Sequence, residues 1–187
     1  MIAIVDYKAG NLTSVRNAFS AIGVDAKVTS DPAEIAAAEK VVFPGVGAAR
    51  SAMANLRDMG LVDVVRDAAR TKPFMGICLG MQILFDHTEE DDGVDCLGII
   101  PGQVRRFPDL PGFKVPEIGW NQVNGDKEYY FVHSYYVEKN PYAIGLTEYA
   151  GIEFTSAVKR GNLVAYQFHP EKSGRIGLQL LKEFAEC

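Results

Sequence analysis

Cys78 sits at the centre of Pro73-Phe74-Met75-Gly76-Ile77-Cys78-Leu79-Gly80-Met81-Gln82, an apolar run that enters a Gly-x-Cys-x-Gly turn and leaves as a helix. A sharp strand-to-helix turn forces its central residue into a strained backbone conformation, and the positions on either side must then be small. Gly76 and Gly80 meet that demand. The same turn sets the thiol at a helix N-terminus, where a thiolate is favoured, and presents the Leu79 amide to a developing oxyanion. An isolated free cysteine is more often a small buried hydrophobe. The glycine bracket and the strand-before, helix-after setting point to a nucleophile instead.

A thiol nucleophile needs a proton acceptor, and the chain holds three histidines, His87, His133 and His169. His87 precedes the polar run Thr88-Glu89-Glu90-Asp91-Asp92 and reads as solvated surface. His169 lies in Gln167-Phe168-His169-Pro170-Glu171, at the end of an apolar strand, where ligands gather above an α/β sheet. Glu171 is two residues on. With Pro170 stiffening the link, its carboxylate can reach the far imidazole nitrogen, fix the tautomer and stabilise the imidazolium. Each residue alone would read as structural; with Cys78 they form a Cys…His-x-Glu set.

The elements that must position this set alternate short apolar runs with helical patterns through the first half. That texture predicts a single α/β domain over residues 1–187, with a mostly parallel central sheet flanked by helices and an antiparallel extension in the second half. Strands are expected at Ile2 to Val5, Ala26 to Thr29, Val41 to Phe43 and Phe74 to Ile77. Asn11 is expected to cap a helix running to about Ile22, with Gly23 as its left-handed terminator and Pro32 in the first turn of the next helix. Later strands are expected at Gly98 to Phe107, Tyr129 to Val132, Tyr142 to Glu148, Phe154 to Lys159 and Leu163 to Phe168, separated by turns at Pro111-Gly112, Asn124-Gly125 and Gly161-Asn162. A helix from about Ile176 to Phe184 follows them.

Composition excludes several classes. Lys plus Arg number 19 against 24 Asp plus Glu, scattered along 187 residues, so neither nucleic acid nor an anionic membrane finds an electrostatic footprint. No stretch approaches the roughly 18 apolar residues of a membrane span. After Met1 the opening run reaches Asp6 past only four apolar residues, Ile2 to Val5, a buried strand rather than a signal peptide. Cys78, Cys96 and Cys187 are an odd count at wide spacing, against both a disulfide framework and a zinc site. A cytoplasmic protein without metal or cofactor is expected, acting on a small molecule, and no Gly-x-Gly-x-x-Gly or Walker sequence suggests a nucleotide.

The strings Val41-Val42-Phe43-Pro44-Gly45-Val46-Gly47, "PFMGICLGMQILF" and "FHPEKS" together resemble the class I glutamine amidotransferases across nearly the whole chain. The resemblance implies a flavodoxin-like fold, glutamine as substrate, a γ-glutamyl thioester on Cys78, and a triad of Cys78, His169 and Glu171. It adds oxyanion donors from Leu79 and from the segment around Val46 and Gly47, and a substrate contact at Gln82. "DYKAGNL", "CLGIIPGQVRRF", "GWNQV" and "YFVHSYY" narrow the resemblance to glutaminase subunits that pass ammonia to a separate cyclase subunit, as a heterodimer. By it, Ser134 and Tyr135 hold the substrate's amino-acid end, with His133 packed beneath them.

Partner contact is expected near the site mouth, through Asn11, Trp120, Asn121 and Lys172, although a Trp is as often a buried core residue. Lys8, Ala49-Arg50 and Glu117-Ile118 depart from the usual family residues, and none of them belongs to the triad. Two enzymes remain as alternatives: the glutaminase of pyridoxal 5′-phosphate synthase, expected to carry Gly-Gly-Glu-Ser-Thr where this chain has Pro44 to Ala48, and a peptidase or γ-glutamyl hydrolase using the same elbow. An idle interaction module is the non-enzyme reading.

Overall fold

In the computed structural model, which describes residues 1–187, the apolar runs of the first half pair as parallel strands because both of their faces are covered. The elements are β1 Ile2–Val5, α1 Leu12–Ala21, β2 Ala26–Thr29, α2 Pro32–Ala37, β3 Lys40–Gly45, α3 Ala49–Asp58, α4 Val62–Thr71, β4 Phe74–Cys78 and α5 Leu79–Gln82. The second half adds β5 His87–Thr88, β6 Val94–Asp95, β7 Gln103–Arg106, β8 Glu117–Val123, β9 Lys127–His133, β10 Tyr135–Val137, β11 Ala143–Tyr149, β12 Ile152–Arg160, β13 Leu163–Tyr166 and α6 Gly174–Glu186. Along the sheet the order is β2-β1-β3-β4-β13-β12-β10-β7-β5-β6, with β11 also on β12 and with β8-β9 as a separate hairpin. Ala3, Val5, Val41 and Phe43 pack into one core layer, and Ile2, Ile4, Val42 and Met75 into the other. This is the single α/β domain the sequence predicts, with its antiparallel portion beginning at β12.

Register places the site. β13 runs parallel to β4 with Tyr166 opposite Ile77, and β3 runs parallel to β4 with Gly45 opposite Cys78. The chain therefore leaves β3, β4 and β13 at one sheet edge, bringing Gly45, Cys78 and the residues after Tyr166 together. Carboxyl ends of parallel strands are where such folds bind ligands.

Several expectations need correction. Asn11 does not cap α1: it lies in the left-handed region, and its Oδ1 accepts from the Ser14 hydroxyl at 2.6 Å rather than from a helix amide. The expected strand from Gly98 to Phe107 shrinks to β7, because Gly98 and Gly102 both take positive φ and break the extension. β8 and β10 were not expected; β10 is separate from β9 because at Ser134 the chain passes from the β8-β9 hairpin into the main sheet, between β12 and β7. Gly23 and Pro32 occupy the places foreseen for them, and Asn124-Gly125 makes the β8-β9 turn with positive φ at both residues.

Candidate active site

The turn after β4 is as tight as its glycines demand. Cys78 sits at φ 55, ψ −116, a conformation that costs a non-glycine residue roughly 1–3 kcal/mol and persists only where neighbours enforce it. A Cβ at Gly80 would lie 1.9 Å from the Phe43 carbonyl oxygen, and one at Gly76 would meet Leu84 and Ala165 at 2.9 and 3.0 Å. α5 itself is only four residues long, so its dipole is weaker than the sequence suggests. The imidazole therefore carries more of the work of holding a thiolate.

His169 follows β13 and is 2% exposed. A 3-10 turn over Pro170–Lys172 folds Glu171 back, so that His169 Nδ1–H donates to Glu171 Oε1 at 2.8 Å, as the His-x-Glu spacing predicts. Glu171 Oε2 is buried without a partner, which leaves this carboxylate dependent on a charged imidazole. Burial opposes a positive charge on His169, yet the Cys78 sulfur and the Glu171 carboxylate outweigh it and raise its pKa to about 10. The site thus favours the imidazolium form of His169. A thiolate accepts from Gln167 Nε2 at 3.9 Å, whereas the Val132 carbonyl at 3.7 Å is a partner only for the protonated thiol.

The segment carrying His169 is pinned from outside the motif. The His169 amide donates to the Tyr130 carbonyl at 2.9 Å, the Ser173 hydroxyl donates to the His169 carbonyl at 2.6 Å, and the Tyr130 amide donates to Ser173 Oγ at 3.0 Å.

A cavity of about 290 Å³ opens over this edge. It is lined by Cys78, Leu79, Gln82, Val46, Gly47, Ser134, Tyr135, His169 and Lys172, all foreseen, together with Glu90, Pro116, Val132 and His133. Two roles change on inspection. The Val46 amide donates to the Ala9 carbonyl at 2.8 Å, so it is not offered to the cavity, and the Leu79 and Gly47 amides are left as candidate donors. Gln82 spends both Nε2 protons internally, on the Tyr135 carbonyl at 2.8 Å and Gln167 Oε1 at 2.9 Å, so a ligand can meet only its oxygen.

Asn11, Trp120 and Asn121 do not line the cavity. Trp120 is 54% exposed on β8 with its edge against Tyr130, which settles the choice between core and surface in favour of surface. His87 is partly exposed and pairs with Asp95 at 2.9 Å, away from the thiol. His133 is buried, with Nδ1 on the Tyr135 carbonyl at 2.7 Å.

Sequence reasoning missed Glu90, Gln167 and Ser173. Glu90 hides in an acidic run that reads as solvated, yet it is half-buried, accepts the Ala49 amide at 2.7 Å, and has its pKa raised chiefly by burial. Gln167 stands two residues before His169, the spacing that puts side chains of an extended chain on one face, and that signal could have found it.

A strained cysteine at a strand end, facing a carboxylate-backed histidine across one cavity, is the equipment of a thiol-dependent acyl transferase or hydrolase. The family model for class I glutamine amidotransferases matches residues 3–186, and the chain belongs to that family. Full-length similarity is narrower still. The chain is 48% identical over 200 residues to the imidazole glycerol phosphate synthase subunit HisH of Moorella thermoacetica, covering 99% of this chain and 94% of that one. It is likewise 48% identical to the proteins of the same name from Acinetobacter baylyi (99% and 97% covered) and Methanothermobacter thermautotrophicus (100% and 98% covered). Among solved structures, the fold matches a crystal structure of a glutamine amidotransferase with TM-score 0.75 at 19% identity, covering 100% of this chain and 98% of that one. A glutamine amidotransferase from Thermotoga maritima matches with TM-score 0.61 at 16% identity, covering 99% and 82%.

Proposed function

We propose that this protein is the glutaminase subunit of an imidazole glycerol phosphate synthase, releasing ammonia from glutamine for a cyclase subunit that forms imidazole glycerol phosphate and an aminoimidazole carboxamide ribotide in histidine biosynthesis. One observation carries the reading: a strained Cys78 and a buried His169, backed by Glu171, share a cavity, in a chain 48% identical end to end to proteins of that name.

The Cys78 thiolate attacks the carboxamide carbon of glutamine, and the oxygen's new charge falls to the Leu79 amide and a second amide from the Val46–Gly47 segment. His169 gives its proton to the departing nitrogen as the carbon–nitrogen bond breaks, leaving a γ-glutamyl thioester and ammonia. Neutral His169 then takes a proton from water as the water attacks the thioester, and glutamate leaves with the thiolate restored. Glu171 holds the imidazole and stabilises its charged form. Ser134 and Tyr135 bind the amino-acid end of the substrate, and the Gln82 oxygen faces it. An oxyanion donor commonly contributes on the order of a hundred- to a thousandfold in rate, and general acid-base help roughly a hundred- to ten-thousandfold, so both are required.

The cyclase docks at the cavity mouth as a heterodimer partner in the cytoplasm, on the side carrying Asn11, Trp120, Asn121 and Lys172. Gly45 and Gly47 flank the peptide that now gives its amide to Ala9. Glycine leaves such a segment free to turn, and a docked partner can favour the orientation that supplies the second donor. No helix is long and apolar enough to cross a membrane. Mixing this protein with an imidazole glycerol phosphate synthase cyclase subunit and assaying glutamine-dependent turnover tests the reading. Turnover is expected; ammonia release from glutamine by neither the protein nor the mixture would overturn it.

A further inference from the structure

Glu117 is 3% exposed on a hairpin whose neighbouring Ile118 and Trp120 are 64% and 54% exposed. A buried carboxylate is costly unless both oxygens are engaged, and here both are. Cross-strand register sets Glu117 opposite His133, whose Nε2 meets Glu117 Oε2 at 2.9 Å, while Oε1 accepts from Asn121 Nδ2 at 2.8 Å. The other ring nitrogen, Nδ1, donates to the Tyr135 carbonyl at 2.7 Å.

That carbonyl also accepts from Gln82 Nε2 at 2.8 Å, so both of its lone pairs are used. Gln82 donates on to Gln167, and Gln167 to the Cys78 sulfur. A continuous chain of hydrogen bonds thus runs from Asn121, beside the exposed Trp120, to the thiol. The Tyr135 carbonyl is held from outside the β10 backbone by two side chains, the His133 ring and the Gln82 amide. No step of the reaction above uses Glu117 or His133.

We propose that Glu117 is a positioning residue: through His133 it fixes the Tyr135 carbonyl, and through that carbonyl the Gln82 and Gln167 amides beside the substrate and the thiol. The inference rests on the glutaminase reading and adds to it a physical link between the Trp120 hairpin and the cavity. A shift of β8 that draws Glu117 from His133 loosens the substrate's seat without touching the triad.

The test is the steady-state KM and kcat for glutamine of the protein in complex with its cyclase subunit, for wild type, Glu117→Leu and Glu117→Gln, with thermal melts of each. Losing one buried hydrogen bond to a charged group is expected to raise KM roughly tenfold in Glu117→Leu, with kcat within about threefold of wild type. Glu117→Gln keeps an acceptor for His133 and should restore most of KM. A purely structural role would instead lower the melting temperature and the active fraction, hence kcat, and leave KM alone. If Glu117→Leu does not fold, Glu117→Asp, which keeps the charge but is one methylene shorter, should show the KM rise. A wild-type KM in the folded Leu or Asp variant, or failure of Gln to restore it, overturns the positioning role alone. A wild-type complex that releases no ammonia from glutamine overturns the glutaminase reading and this inference with it.

Discussion

Converting Glu171 to glutamine removes a charge from the site while keeping its shape. His169 and Glu171 have side chains 3% and 1% exposed and meet at 2.8 Å, so solvent screens the pair little. Hydrogen bonds to charged groups contribute roughly 1.5–3 kcal/mol and neutral ones roughly 0.5–1.5, which sets a lower loss of about 1 kcal/mol. Two unit charges about 4 Å apart at an effective dielectric constant near 20 interact by about 4 kcal/mol, which bounds the loss from above. At about 1.4 kcal/mol per tenfold, kcat should fall between about fivefold and several hundredfold. His169→Ala removes the proton transfer itself and should cost up to about ten-thousandfold. The charge also supports the raised His169 pKa of about 10. Because that pKa is raised, the charged pair's stabilising contribution is complete below about 6.5 and is lost as pH climbs through about 10. Without the carboxylate the upper limit moves down, so the alkaline limb of activity should shift to lower pH in Glu171→Gln. The assay is continuous ammonia release from glutamine by the cyclase complex, over a pH series extended past the wild-type value. A Glu171→Gln loss equal to or above that of His169→Ala, or an unmoved alkaline limb, would refute the roles assigned.

Gly80→Ala should destabilise the fold by about 3 kcal/mol or more, since its Cβ would lie 1.9 Å from a backbone oxygen; for a chain of this size a melt should fall by roughly 6 °C or more, and an unchanged melt would contradict the turn geometry. Cys96→Ala, Cys187→Ala and His87→Ala should leave ammonia release within about twofold: the Cys96 thiol is pushed up to about 12, chiefly by burial, and His87 is occupied by Asp95. Ammonia release should rise from the isolated protein to the cyclase complex and again with a nucleotide ligand of the cyclase, because the Val46 amide is held by Ala9 in the isolated chain; equal rates in all three would remove the switch.

The central parallel strands β1, β3 and β4 were legible because they are buried on both faces and read as apolar runs. β1 and β2 fall where the runs place them. β8 was illegible for the opposite reason: its pattern is inverted, with Glu117 buried while Ile118 and Trp120 face out. A polar residue inside and apolar residues outside look like no strand until the pairing of Glu117 with His133 is known. The placement of Cys78, His169 and Glu171 was legible because it is written in two short motifs. Ser173 and Glu117 were not, since each bonds to groups on other strands, and Gln167 showed only in its spacing from His169. That the Val46 amide faces Ala9 was illegible because the sequence cannot report which way a peptide between two glycines faces.

The central claim is tested most directly by Cys78→Ala in complex with the cyclase subunit, supplied first with glutamine and then with free ammonia. Glutamine-dependent turnover should vanish while ammonia-dependent turnover stays at the wild-type level. Glutamine-dependent turnover persisting above a few per cent of wild type would contradict the thiol mechanism.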